Sequence, residues 1–578
     1  VAPVFGVESA REVSMRFRLF CGIVVLLTVF SAAKLYAQDT GAITGTVRDN
    51  TLAVIQGADV KISGTAGGIS RATTTNSDGD YLAAGLPGGI YNLTISAKGF
   101  KTFKGNGVVL RVGQRARVDA TLAVGDVATE IVVQGERLNQ VETQSSELSG
   151  TVTGKQISQL QLNGRNYTQL LALTPGATNQ SGADEPGTGL ATVAYSVNGG
   201  RTEYNNWEID GGNNMDDGSN TTLMTYPSID AIGEVRLLTS NYGAQYGRNG
   251  SGTVEIETKS GTKSFHGDVY EFVRNDDFNA RNYFLPNVPP YKKNDFGYTI
   301  GGPVFIPGLY NESKQKTFFF FSEEWRREIL PTNFNVPVPS CVERGLQPGS
   351  GGVGCTGTQA LVGDFSELCA VGTDCPQFIP QGGSTAQAFP NNQVPIDPNA
   401  VPLLAMFPFP NTHDATNGLW SYVSSSSQPT HWREELFRID HNINSNLHAT
   451  VRYIHDSWSS VNPTPLWTNG ASYPTIQDAY GQPATSLVAH LTATITPTLL
   501  NEFVASYSVN HITFQNKGAW QRPAGYNLGL FQNGFGGGKL PGVSLAGGTA
   551  FNGIAQDAGY VPNGPVNSNP SYTYRDNV

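Results

Sequence analysis

Charge is what this sequence has least of for its size. Only 15% of the 578 residues are Asp, Glu, Lys or Arg, the formal net charge is −10 (37 basic against 47 acidic), and no block of basic residues occurs. A nucleic-acid surface needs clustered Lys and Arg, so no nucleic-acid partner is expected. Long apolar runs are missing too. After the first 37 residues no stretch offers 18 consecutive apolar side chains, so a membrane could be crossed only by strands. Enzyme motifs are also absent: there is no G-x-S-x-G elbow, no H-E-x-x-H and no phosphate loop. His431-Trp432-Arg433-Glu434 has the H-x-x-E spacing of a zinc site. It opens a strand, however, where residues one and four point to opposite faces and cannot share a metal. No catalytic residue, metal or cofactor is expected.

Cysteine is scarce, with five residues. Cys21 lies in an N-terminal apolar run, too early in it to read as a lipoprotein site. Cys341, Cys355, Cys369 and Cys375 fall together in a Gly/Pro-rich segment without a tight C-x-x-C pair, which argues against zinc. An even, clustered set in an oxidising compartment reads as two disulfides, with three possible connectivities. The compartment follows from the N-terminus. Met15, Arg16 and Arg18 precede an apolar run over 19–33 and then Leu35-Tyr36-Ala37. That is a signal peptide cleaved after Ala37, the run being shorter than the ~20 residues a membrane anchor needs. Residues 1–14 read as upstream sequence before a start at Met15.

What is abundant is glycine (67) and aromatics (7 Trp, 23 Tyr, 28 Phe), a composition suited to a mainly β protein. Residues 41–124 alternate short strands with turns such as Asn76-Ser77-Asp78-Gly79-Asp80 and Leu86-Pro87-Gly88-Gly89, the pattern of a seven-stranded β-sandwich. Asp78 and Asp80 mark a turn rather than a calcium site, which needs more oxygen ligands. A polar linker over 125–148 contains the β-branched run Glu130-Ile131-Val132-Val133. From 149 to 262 the pattern is αβ, with short helices around Ile157–Leu160 and Tyr167–Leu171 flanking Asn163-Gly164. Two strands follow, 195–199 and 207–211, the second ending in Asp210-Gly211. From 264 onward strands alternate strictly. Leu487, Ala489, Leu491, Ala493 and Ile495 oppose His490, Thr492, Thr494 and Thr496, and Leu447, Ala449, Val451 and Tyr453 oppose His448, Thr450 and Arg452. Tight turns such as Pro497-Thr498 contrast with a long aperiodic segment over 331–429. Long loops at one end and short turns at the other fit a membrane β-barrel. Its polar interior accounts for His441, His448 and His455.

Three stretches carry a resemblance. TNSDGDYLAAGLPGGIYNLTISAKGF, beginning at Thr75, resembles the carboxypeptidase regulatory-like domain, a carbohydrate-binding-like fold. LQLNGRNYTQLLALTPG, from Leu160, and the run IGEVRLLTSNYGAQYGRNGSGTVEIETKSGTKSFHGDVYEFVRNDDFNARNYF over 232–284 resemble the plug and plug-to-barrel junction of TonB-dependent outer-membrane receptors, Oar-like branch. The resemblance implies an αβ plug at 149–262 and an antiparallel transmembrane β-barrel from 264 to 578, in outer-membrane lipid, with sandwich and plug on the periplasmic side. It implies a TonB box at Glu130, Ile131, Val132 and Val133, a TonB–ExbB–ExbD energy-coupling partner, and uptake of an extracellular ligand, an oligosaccharide being favoured by fold analogy. From the residues alone, 130–133 equally makes the last strand of the sandwich. A surface adhesin without transport is the alternative function. Such barrels have about 22 strands, whereas seven to nine are legible here. Residues 571–578 read as turn-rich sequence rather than a closing strand, so the expectation is a barrel truncated at its C-terminal side.

Overall fold

The computed structural model describes residues 41–578 except 67–68, 126–129, 135–144, 181–192, 244, 282–287, 289, 351–353, 370–388, 406, 415–418, 464–476, 497–498 and 518–565. The signal-peptide reading and Cys375 lie outside the described residues.

Residues 41–122 form two facing sheets. One is built on Gly41–Asp49, which pairs antiparallel with Asp80–Leu86 and parallel with Arg115–Arg117 and Ala120–Leu122. The other runs in the order Ser70–Thr74, Asp59–Gly64, Gly89–Ser96, Thr102–Leu110, Glu130–Gln134. Period-two apolar residues from both, including Ile43, Val47, Val60, Ile62, Leu93 and Ile95, fill the space between them. Eight strands fall in 41–122 rather than seven, because residues 115–122 break into two three-residue pairings. Asn76 Oδ1 accepts the backbone N–H groups of Asp78 and Asp80, so this acidic stretch is a side-chain-closed turn.

An inner domain follows. Its five-stranded sheet has the order Leu148–Thr153, Ile232–Ser240, Thr253–Thr258, Asn206–Ile209, Gly212–Asn213. The helix Gly154–Gln159 opens with a Thr153/Gln156 capping box, which satisfies orphan N–H groups at its start. The 3₁₀ turns Asn163–Arg165 and Tyr167–Leu173 complete the helical part. Tyr167, Leu170, Trp207, Ile209, Leu237 and Ile256 form its core.

The remainder is one antiparallel sheet of eleven strands. Among the described residues these fill eight successive positions, because Gln477–Gly481 lies in line with Ala484–Thr496, Val566–Ser568 lies in line with Ser571–Asn577, and Thr412–Asp414, paired antiparallel with residues 419–421, lies in line with Leu447–Asn462. Its polarity is inverted relative to a soluble sandwich. Along Leu447–Asn462 the inward residues His448, Thr450, Arg452, Asp456 and Ser460 are buried, while Val451 and Tyr453 on the other face are about half exposed. Phe296, Ile300, Phe437, Leu487 and Leu491 stand on that same outer face. Apolar-out, polar-in alternation is what lipid on one side and a polar interior on the other require. Among the described residues no helix is long and apolar enough to cross a membrane, which says nothing of strands.

Two expectations change. Residues 571–577 are a strand, paired antiparallel to Leu499–Lys517. It was hidden because its inward residues Ser571, Thr573, Arg575 and Asn577 are polar and its outward face holds the charged Asp576 beside Tyr572 and Tyr574. The aperiodic segment 331–429 is also shorter than expected. Thr317–Pro337 and Leu419–Asn442 stay paired up to Pro337↔Ser421, in a stretch rich in Ser and Asn on both faces, which leaves no alternation to read. The connection beyond them is gathered around buried Arg344, which donates to the carbonyls of Pro339, Leu404, Phe407 and Pro408. Cys341 and Cys355 are disulfide-bonded there.

The inner domain passes into the large sheet through Lys259–Lys263, and Gly261 is the pinch point. A Cβ on it would lie 2.3 Å from the Phe319 carbonyl oxygen and 2.7 Å from that of Gly302. Both are backbone atoms of paired strands and cannot turn aside. Gly261→Ala is expected to cost about 1–3 kcal/mol, read as a lower thermal midpoint and faster proteolysis at the 259–265 connection, with Gly247→Ala, where a Cβ would meet no atom within 4 Å, as an unaffected-packing control.

Candidate functional site: like-charge pairs of the large sheet answered by the inner domain

Two inward cross-strand pairs of the large sheet carry like charges. Arg438 lies directly opposite Arg452, and Glu324 directly opposite Glu434. Like charges facing each other across a ladder are destabilising, and each pair is answered by a side chain of the inner domain.

Asp210 answers the arginines. The strand Asn206–Ile209 turns back into Gly212–Asn213 through Asp210-Gly211, both at positive φ (49° and 76°). That is a two-residue hairpin turn of the kind Asp-Gly favours, and it projects the carboxylate at the large sheet. Asp210 Oδ1 accepts from Arg438 Nη1 at 3.0 Å and Oδ2 from Arg452 Nε at 3.0 Å, and Thr258 donates its N–H and hydroxyl. Arg438 also reaches Glu257 (2.8 Å) and Asp440 (3.0 Å), and Arg452 donates to the Ile209 carbonyl and to Ser486. Arg165 answers one member of the glutamate pair, meeting Glu324 at 3.2 Å and Asp230 at 2.6 Å, while Glu434 accepts from Ser322. Ser228 and Tyr270 donate to the same Glu324 oxygen. Asp456 accepts the Tyr226 N–H, Asn510 and Asn569 donate to Asp216, and Arg575 meets Glu208.

Inside the inner domain, burial and then the facing Glu255 push Glu208 up to about 8 despite its contact with Arg575. Burial, partly offset by Arg438, holds Glu257 at about 7. These carboxylates, with Asp210, Arg438, His448 and His490, line a cavity of about 50 Å³ capped by Pro87 and Gly88 of the sandwich. A space that size holds a few waters.

The sandwich is bonded on from below. Val112 donates to Glu234 and accepts from Arg236, Lys263 donates to the Ala66 carbonyl, and Arg71 donates to the Ser445 carbonyl in the turn between Leu419–Asn442 and Leu447–Asn462.

The residues singled out from sequence scatter around this site. Glu130–Gln134 is the fifth strand of a sandwich sheet, parallel to Thr102–Leu110, so the backbone adopts the sandwich-strand reading. Cys341 and Cys355 are joined, one of the pairings the sequence left open, and Cys375 is not among the described residues. His431 is exposed and Glu434 buried on the opposite face. Of the three histidines assigned to a polar interior only His448 points inward. A spacing of seven changes face, and His455 pairs with Glu435 on the outer side while His441 meets Thr317. Among the described residues no cluster of metal-ligating side chains occurs. Asp210, Arg438 and Arg452 were missed, though an arginine on the polar face of two adjacent alternating strands was a readable signal that an anion must meet them.

Comparison with known proteins bears on all of this. Residues 257–578 match the family described as outer membrane beta barrel domain, and residues 42–123 match the carboxypeptidase regulatory-like domain. The TonB-dependent transporter Oar of Myxococcus xanthus is 26% identical over 319 residues, covering 52% of this chain and 28% of that protein. Among solved structures, the outer membrane transporter YddB from Escherichia coli aligns at 12% identity and a TM-score of 0.39, over 74% of this chain and 45% of that one. A mutant of the ferric enterobactin receptor of Pseudomonas aeruginosa aligns at 9% and 0.36, over 65% and 42%. The chain thus spans less than a third of the curated relative and under half of these two structures.

Asp210→Ala would leave Arg452 buried without its carboxylate while Arg438 keeps Glu257 and Asp440, a loss of about 3–5 kcal/mol. The expected result is faster hydrogen exchange over 206–213 and 253–258 in the detergent-solubilised protein. Adding Arg452→Met should recover some of the loss, because the facing positive pair is then gone; no recovery would mean that the like-charge pair is not what Asp210 relieves.

Proposed function

The chain belongs to the outer membrane beta barrel domain family, and on that premise we propose that it is a receptor for TonB-dependent, proton-motive-force-coupled uptake. It resides in the outer membrane. In this reading 41–124 is a periplasmic sandwich, 125–148 a coupling linker, 149–262 a plug, and 264–578 barrel wall, with the connection over 338–418 on the outer side where ligand is captured. The observation that carries the proposal is the closed passage. A sheet with a lipid-compatible outer face holds, on its polar face, a domain fastened by buried charge pairs, and the cavity beside Asp210 holds only a few waters.

Such a closure requires work to open, and no ATP exists in the periplasm. Energy must then arrive mechanically, through the TonB–ExbB–ExbD complex acting on Glu130, Ile131, Val132 and Val133. A β-branched segment that can add as a strand to a partner's sheet edge suits that role. For the ligand we favour an oligosaccharide, resting on the fold analogy of the N-terminal domain alone.

Val132→Pro removes a ladder donor from the coupling segment. Cells carrying it should bind a fluorescent oligosaccharide at the surface as wild type does but fail to accumulate it. Accumulation at the wild-type rate would sink the assignment of the box. Wild-type binding that survives a proton uncoupler, with no accumulation at any time, would instead favour an adhesin.

A further inference from the structure

The segment proposed for coupling is already occupied. Glu130–Gln134 lies parallel to Thr102–Leu110, with Glu130 opposite Thr102, Ile131 opposite Phe103, Val132 opposite Lys104, Val133 opposite Gly105 and Gln134 opposite Asn106. It is the outermost of the five strands in its sheet. A strand offers two hydrogen-bonding edges, and one of these is spent on the sandwich. A partner that takes the segment out as a strand of its own sheet must break this ladder first.

The ladder is built to be short. Thr102–Leu110 carries an irregularity, since its pairing with Gly89–Ser96 shifts register between Tyr91↔Val108 and Leu93↔Gly105. Gly107 there has a φ of 77° and donates to Asn92 Oδ1. A bulge bends the strand and ends regular pairing, and the parallel ladder stops at Asn106, where the bulge begins. Parallel pairing is also slightly less stable per residue than antiparallel pairing. The edge left behind carries Lys104 and two glycines, Gly105 and Gly107, features that make an exposed edge poor at recruiting foreign strands. A five-residue ladder on such an edge can open and close without drawing in another chain.

The connection on the far side fits release. Thirteen residues, 135–147, separate this strand from Leu148–Thr153, the outer strand of the inner domain's sheet. Extended, they reach at most about 43–47 Å. A released strand therefore stays tethered to the inner domain within that reach. Meanwhile the sandwich stays bonded at Glu234, Arg236 and Ser445.

We infer that the N-terminal sandwich masks the coupling segment: the Thr102–Leu110 edge and the energy-coupling partner compete for the same strand. The inference rests on the box reading above and adds a regulated step to it. Anything that loosens the sandwich edge raises the partner's access, and anything that tightens it shuts coupling off without touching the inner domain.

The test is a redox staple in the full chain. Lys104→Cys/Val132→Cys and, separately, Asn106→Cys/Gln134→Cys place thiols on directly opposed residues of adjacent strands. Such strands lie about 4.8 Å apart, within disulfide reach. The probe is the purified carboxy-terminal domain of TonB, titrated against detergent-solubilised protein. Oxidation of either pair should weaken its binding at least tenfold, and reduction should restore it, while wild type and single-cysteine variants do not respond. A staple that forms and leaves binding unchanged overturns the mask, as does failure of both pairs to cross-link while their single thiols label with maleimide. Val132→Pro separates the two ideas. If it binds the TonB domain as wild type does, the box reading itself fails; if it loses binding while the staples have no effect, only the mask does.

Discussion

Arg438 and Arg452 face each other across neighbouring strands, and nothing else in the assembly makes sense of their placement until Asp210 is put between them. A sheet that carries two guanidiniums side by side on its buried face is under electrostatic load by itself. The inner domain relieves that load with one carboxylate, aimed by an Asp-Gly turn whose geometry is fixed by two positive φ angles. A related contact of reversed sign occurs at Glu324, which faces Glu434 across the ladder and is met by Arg165 of the inner domain. Docking is thus written into both partners. Arg438 keeps Asp440 on its own strand, but Arg452 finds its carboxylate in the inner domain, so a wrong seating would strand buried charge at a cost of several kcal/mol.

Much of the architecture was legible because it rests on period two. Leu447 to Tyr453 and Leu487 to Ile495 read as lipid-facing strands from their alternation alone, and the junction at 232–284 placed the passage from inner domain to sheet. The strand Ser571–Asn577 was not legible, because its inward side chains bond to the inner domain through Ser571–Asn213 and Arg575–Glu208. Polar residues committed to a partner look like turn residues when the partner is unseen. The reach of the hairpin to Pro337↔Ser421 was lost for a different reason: with polar side chains on both faces there is no hydrophobic period to detect. The ionic contact needed pairing register, which no single sequence supplies.

Residues 130–134 show where two readings of the same residues can both hold. Alternating β-branched side chains favour an extended strand with an open edge, and that property serves a sandwich sheet and a foreign sheet equally. The structure seats the strand at the sandwich edge; the proposed coupling role needs it elsewhere. A segment able to do both is a switch by composition, and its resting position decides what its partner must overcome.

The order of events under tension then follows from the strength of two attachments. Five residues of parallel pairing contribute a few hydrogen bonds of about 1 kcal/mol each, and these can break in succession from an end. The inner domain is held by charge pairs that are buried together, where removing one member costs about 3–5 kcal/mol and the shared carboxylate of Asp210 couples two of them. A pull on residues 130–134 meets their own ladder first, because the inner domain's outer strand begins thirteen residues further along the chain. Release of the strand therefore precedes any movement of the inner domain, and the passage stays closed through the first stage of engagement.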